Sequence, residues 1–305
     1  MKKIIILIVL LMLTGCNNYN DIKNLAIINE IGIDYDKEYI VYIKVLSSNQ
    51  KEEDKIYKEN CLSIDKCFDK ISNKLTKKLY LTHLDLLVLT KNLEYKNYNE
   101  IISFFMKNQQ SRNNFLTIGV NIINDSFLKI YSKDIINMLI LSINSNGIAK
   151  PINFEKIIKD ILNYKLSYIP YIDTTKNELV GYLQIYKDIK VLTKEEAIAI
   201  NLITNSIKSL TITTNKSYKL ENCNTSLTPE KEMINIKISC NYQGTKEEKI
   251  TLNNYLNKII NEFINKNNQS YLTYIKDKYN IKKKLKTNII INLSLIETNS
   301  GDYFE

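Results

Sequence analysis

LDLLVLT, Leu84–Thr90, is apolar at every position but Asp85 and Thr90. A strand covered on one face alternates apolar and polar residues, whereas a strand covered on both faces reads as a nearly continuous apolar run. This stretch is therefore expected as a strand inside a sheet with layers on both sides. The segments on either side support that reading. Asp65–Leu79 has the periodicity of an amphipathic helix, with Ile64, Phe68, Ile71 and Leu75 in one stripe. Tyr98–Lys107 is expected as a second helix and Phe115–Ile123 as the next strand. Upstream, Ile27, Ile31 and Ile33 share one face of a strand over Leu25–Asp34. Asp34-Tyr35-Asp36-Lys37 is turn chemistry, and Tyr39–Leu46 is rich in β-branched and aromatic residues. The pair reads as a hairpin. Strand, helix, strand, helix, strand implies helices layered on a sheet.

Further out the signals are local. Ser47–Asn60 carries Lys51-Glu52-Glu53-Asp54-Lys55 and reads as a solvated loop. Asp125–Ser142 is helical, Ser145-Asn146-Gly147 breaks it, and Pro151–Asn163 holds a short helix. Ser167–Asn177 (SYIPYIDTTKN) has the composition of a boundary between domains. Val180–Leu192 reads as short strands. Thr193-Lys194-Glu195-Glu196 fits a capping box, with Thr193 at the N-cap and Glu196 at N3. Ala197, Ile200, Ile203 and Ile207 form the inner face of that helix. Strands follow at Ser209–Thr213, Ser217–Asn222 and Glu232–Tyr242, with a turn at Thr228-Pro229-Glu230. A long helix carries Leu252, Leu256, Ile259, Ile260 and Phe263, extended by Leu272 and Ile275, and a last strand carries Ile289, Ile291, Leu293 and Leu295. The expected fold class is α+β. It has mixed sheets with packed helices, two or more domains, and a long C-terminal helix followed by a final strand.

The N-terminus has a different logic. Lys2 and Lys3 precede an apolar run, Ile4–Leu13, which is half the length of about 20 residues that a membrane-spanning helix needs. Positive residues, a short apolar run and small residues describe a secretory signal peptide. Leu13-Thr14-Gly15-Cys16 resembles a bacterial lipobox, in which Cys16 would carry diacylglycerol and become the first residue. Stable anchoring needs about two acyl chains, and diacylglycerol supplies them. The expected organisation is 1–15 signal peptide, 16–24 tether, 25–170 N-terminal α/β domain and 175–300 C-terminal α+β domain.

Composition narrows the function. The net charge is +9, carried by lysine, with Arg112 the only arginine, and tryptophan is absent. Nucleic-acid readers lean on arginine forks and aromatic platforms, so no nucleic-acid partner is expected. Basicity of this kind suits a solvated lysine surface or attraction to anionic headgroups. The densest patch is Lys276–Lys286, KDKYNIKKKLK.

Four cysteines besides Cys16 can pair in three ways. Strict alternation places Cys240 with Ile234, Ile236 and Ile238, and Cys223 with Lys219 and Glu221 on a polar face. Since a cross-strand bridge needs both side chains on one face, Cys61, Cys67, Cys223 and Cys240 are expected as buried free thiols rather than as bridges. No CxxC metal site occurs, and neither metal nor cofactor is expected. His83, the only histidine, lies two residues from Asp85. The pair has the chemistry of a general base, but a structural histidine bonding backbone where the strand begins is the favoured reading. No G-x-S-x-G, P-loop or H-E-x-x-H is present, and no enzymatic activity is expected.

Four stretches together resemble the Ger(x)C family of spore germination lipoproteins. They are the lipobox followed by Asp21–Ile27 and Glu30-Ile31-Gly32-Ile33-Asp34; KLTKKLYLTHLDLLVLTKNL, Lys74–Leu93; IISFFMKNQQSRN, ending at Asn113; and, more weakly, Leu179–Glu196. Gly32, Asp34, His83, Arg112 and Glu196 fall on the family's motif positions, as structural or interface residues. The chain departs from the family at Asn17–Asn20, where a Trp-Asp-Arg-Arg-like run is usual, and at Thr82, where glycine is usual. The resemblance implies a mixed α+β fold and a lipid-anchored, non-enzymatic subunit of a nutrient germinant receptor. Its implied partners are the membrane, through the diacylglyceryl anchor, and two integral-membrane subunits, A-type and B-type. Its implied location is the outer face of the cell membrane and the inner membrane of the spore. A solute-binding lipoprotein feeding a transporter is the alternative, and it needs a cleft between two similar lobes.

Overall fold

The computed structural model describes residues 24–47, 53–108, 111–130, 132–186, 188–214, 216–230, 233–267, 271, 275 and 286–296. The expected signal peptide 1–15, Cys16, the tether apart from Asn24, Leu272 and all of Lys276–Lys286 except Lys286 lie outside the described residues.

Along the chain the elements are β1 (Leu25–Asp36), β2 (Glu38–Val45), β3 (Lys55–Cys61), α1 (Ile64–Leu75), β4 (Lys78–Tyr80), β5 (Leu86–Thr90), α2 (Tyr95–Lys107), β6 (Leu116–Val120), α3 (Asp125–Leu128), α4 (Ser132–Asn146) and α5 (Phe154–Leu162). They continue with β7 (Ser167–Asp173), β8 (Glu178–Ile185), β9 (Ile189–Leu192), α6 (Lys194–Ile203), β10 (Leu210–Thr213), β11 (Ser217–Glu230), β12 (Met233–Gln243), α7 (Lys246–Asn267) and β13 (Lys286–Ile296). The fold is α+β with two mixed sheets.

The first sheet has nine strands in the order β3-β2-β1-β5-β6-β7-β8-β9, with β4 also paired to β1. Its centre, β1, β5, β6 and β7, is parallel; β2 and β3 on one side, and β8 and β9 on the other, are antiparallel. Parallel neighbours need crossovers, which the helices supply. The second sheet runs β10-β11-β12-β13, and α7 is the crossover between the parallel pair β12 and β13.

LDLLVLT behaves as its composition requires. Leu87 and Leu89 join Ile31 and Ile33 in a core that also holds Phe68, Phe105 and Phe154 from α1, α2 and α5. Leu86 and Val88 face the other way, into a core shared with Leu139 of α4, Ile200 of α6, Leu256 and Phe263 of α7, and Ile236 and Ile238 of β12. The second core welds the two sheets together. Truncating any of these leucines to alanine costs about 2–5 kcal/mol.

The capping box of α6 forms: Thr193 N–H donates to Glu196 Oε2 at 2.9 Å, and Glu196 N–H donates to Thr193 Oγ1 at 3.3 Å. Three local readings are corrected. Part of the expected loop 47–60 is β3, a charged strand on the open side of β2; edge strands carry charge because it deters further pairing, and that makes them look like loops. Ser167–Asn177 is a strand and turn within the first sheet, which continues through β8 and β9. Thr228-Pro229-Glu230 belongs to β11, paired with Asn235, Ile234 and Met233.

The free-thiol expectation is also overturned: Cys61 is bonded to Cys67, and Cys223 to Cys240. Between Glu221 and Asn224 the β11 strand advances three residues while β12 advances two, from Asn241 to Ser239. Asn222 sits at φ +50 in this bulge. The extra residue moves every later side chain of β11 to the opposite face. Cys223 therefore turns inward to meet Cys240, where strict alternation puts it outward.

Candidate functional site

The parallel strands give the first sheet two distinct edges, with His83 and Arg112 on one and Asp34 on the other. Leu25–Ile27 pairs with Lys78–Tyr80 of β4. Asp85 N–H donates to Asn29 O, and Leu116 N–H donates to Asp85 O, each at 2.9 Å. The segments leading into β5 and β6 therefore lie along the edge where β1 begins. His83 is exposed there, its ring 6.1 Å from that of Tyr80. Among the described residues it makes no hydrogen bond to backbone or to Asp85, so the expected backbone-bonded histidine is not found. Arg112 is exposed on the same edge, four residues before β6, and Lys77 and Lys78 are exposed beside the first residue of β1.

Gly32 and Asp34 lie further along β1. Gly32 pairs with Tyr42 and Val88 in the middle of the sheet. A Cβ there would come within 2.9 Å of Ile123 Cδ1 and 3.3 Å of Tyr42 Cβ, so glycine lets the α3 side pack directly on the strand. Asp34 is at the opposite edge. Its Oδ1 accepts from Tyr35 N–H at 2.8 Å, from Asn92 Nδ2 at 3.0 Å and from the Thr90 hydroxyl, tying the end of β1 to the end of β5. The parallel pair β6–β7 repeats the device. Asn121 Nδ2 donates to Asp173 Oδ1 at 3.0 Å, and Thr174 donates to Asn121 Oδ1 through its N–H and hydroxyl. Hydrogen bonds from Thr175 hold the Asp173 carboxyl below the usual carboxylate range. Glu196 is remote from both groups, in the α6 cap. The structure does not gather the five motif residues into one site.

One constellation has no counterpart in the sequence reading. Glu30 and Lys44 are directly opposed on β1 and β2, with Lys44 Nζ 3.1 Å from Glu30 Oε1 and both side chains buried. Lys44 Nζ also donates to Ile130 O at 3.3 Å, and the Ser132 backbone favours the charged form of the Glu30 carboxylate. The pair thus fastens the start of α4 onto the sheet. Burial pushes the Glu30 carboxyl up to about 7 against the pull of Lys44. The available signal was a lysine inside an otherwise apolar strand, opposite a glutamate in register. Among the described residues no group of three or more His, Cys, Asp or Glu side chains is placed to hold a metal ion, and no helix is long and apolar enough to cross a membrane.

A two-sheet α+β protein with an exposed basic edge at the head of its parallel strands is the class that fold and geometry define. The family model described as the spore germination protein N-terminal domain matches residues 18–174, and the chain belongs to the Ger(x)C family of spore germination proteins, a family of germinant-receptor C subunits. A crystal structure of the GerBC protein has a similar fold, with 14% sequence identity, a TM-score of 0.51, and coverage of 88% of this chain and 97% of that one. No curated protein matches the chain.

Proposed function

We propose that this chain is a lipid-anchored, non-enzymatic subunit of a spore nutrient germinant receptor. Cys16 carries the anchor, and the first sheet lies with its β1-leading edge toward the outer face of the spore's inner membrane. The observation that carries this orientation is where the polypeptide joins the fold: Leu25 sits on the edge that also presents His83, Arg112, Lys77 and Lys78. Eight residues, 17–24, separate it from Cys16 and reach at most about 28 Å. Each lysine or arginine held near an anionic leaflet contributes about 1 kcal/mol. Tethering raises the local concentration of this edge near integral-membrane A-type and B-type subunits, and the subunit supports receptor assembly or signalling. The two sheets differ in strand number and order, unlike the paired similar lobes of a solute-binding protein.

The test is a strain producing Cys16→Ser protein in place of the native chain. The polypeptide is expected in the soluble fraction, and the spores are expected to respond poorly to nutrients. Stable membrane retention with normal germination would refute the reading.

A further inference from the structure

At the seam between the sheets, where β7 begins beside α5 and α6, lies a cavity of about 490 Å³. We propose that it is a binding site for a small amphipathic organic anion. Its volume is within the range of small-molecule sites, which are mostly apolar with a few fixed polar groups. Tyr168 and Tyr182 form an aromatic wall, their ring centroids 5.8 Å apart, with Leu166 and Ile200 beside them. The wall is held in place. The Tyr182 hydroxyl accepts from Lys150 N–H at 2.7 Å and donates to Asn201 Oδ1 at 2.9 Å, while Asn201 Nδ2 donates to Gly147 O at 2.7 Å. A site fixed before binding loses less entropy when occupied.

The charge of the lining selects the ligand. Its cations are Lys150 and Lys156, and its one carboxylate is Asp160, already paired with Lys156. The exposed Lys150 ammonium is left to meet an anion at the rim. A second polar feature lies next to the wall. Gln184 faces Tyr168 across the β7–β8 pair, is fully buried, and has neither amide atom hydrogen-bonded among the described residues. Such a group gains from a polar neighbour. An occupant would bridge the two sheets, because α5 and β7 belong to one side of the cavity and α6 leads to the other.

The probe is 2-naphthoate, compared with its neutral analogue 2-naphthamide, added to the full-length protein in zwitterionic nanodiscs and followed by calorimetry and saturation-transfer NMR. Saturable binding is expected, with naphthoate tighter than naphthamide by about tenfold or more. Lys150→Met should erase that preference, and Ser206→Trp, which fills the cavity, should abolish binding of both; circular dichroism confirms that each variant is folded. Lys133→Met, away from the cavity, should change nothing. Absence of saturable binding, equal binding of the two probes, or undiminished binding to folded Ser206→Trp protein overturns the inference. Any of these leaves the receptor reading standing, since that is judged by germination of the Cys16→Ser strain.

Discussion

Glu30 and Lys44 oppose each other across β1 and β2 at 3.1 Å, with 1% and 3% of their side chains exposed. Removing one member of such a pair strands the other in a medium that cannot solvate it. Lys44→Met is therefore expected to cost about 3–5 kcal/mol at pH 8, read by urea unfolding. A matched apolar pair, Glu30→Met with Lys44→Met, should be much milder.

The same pair fixes a pH dependence. The Glu30 carboxyl rises from 4.5 to about 7 on folding. A raised value means that the folded state holds the proton more tightly, so this group's stabilising contribution is complete below about 4.5 and is lost as pH rises through about 7. Urea midpoints of the native chain should fall across that window, and Glu30→Gln should flatten the slope. The carboxylates of Asp173, Glu178 and Glu248 are lowered, chiefly by hydrogen bonds from Thr175, Lys194 and the Thr245 backbone respectively. Their effect has the opposite sign and belongs to more acid solution, so the two trends separate.

The disulfides close short loops, six residues apart for Cys61–Cys67 and seventeen for Cys223–Cys240. Loop-closure entropy gives about 2 and about 3 kcal/mol respectively. Thiol titration of the unreduced, unfolded protein should find none of these four cysteines reactive, and reductant should lower the unfolding midpoint. Cys223→Ser with Cys240→Ser is expected to lower it more than the Cys61, Cys67 double variant.

Two glycines should respond differently to alanine. At Gly32 the nearest obstacle is the mobile tip of Ile123, so Gly32→Ala should cost about 1 kcal/mol. At Gly181 the backbone has φ +155, and a Cβ would lie 2.3 Å from Leu192 O, an atom fixed in β9. Gly181→Ala should cost about 3 kcal/mol or more, or prevent folding. Thermal unfolding of the two variants checks the order.

His83→Ala and Arg112→Ala remove exposed side chains from the β1-leading edge. Each should leave stability within about 0.5 kcal/mol of the native chain. If that edge meets the membrane or the other subunits, each should nevertheless slow nutrient-triggered germination, scored alongside receptor abundance. Unchanged germination in the double variant would remove this edge from the interface.

The parts of this architecture that depend on short-range chemistry were open to reading. LDLLVLT announced a strand covered on both faces because no polar residue interrupts its centre. Thr193 and Glu196 announced a helix start because their reciprocal bonds need only four consecutive residues. What escaped depends on register between strands distant in sequence or on a single inserted residue. Nothing around Asn222 marks the bulge that turns Cys223 inward. Lys44 is a polar oddity until β1 is laid beside it. β3 resembles a loop because its charges protect an edge, and Ser167–Asn177 resembles a linker although β7 closes on β6. The resemblance names five motif residues, but their distribution over two edges, the middle of β1 and a helix cap emerges only from the topology.

One sulfur–sulfur bond joins β3 to α1 beside the first sheet, the other joins β11 to β12 within the second, and neither crosses between the sheets. The joint between the halves is made by side-chain packing around α6 and α7. A wedge applied there would meet interlocking hydrocarbon rather than a disulfide, so large-to-small substitutions on the inner faces of α6 and α7 should loosen the joint before either sheet.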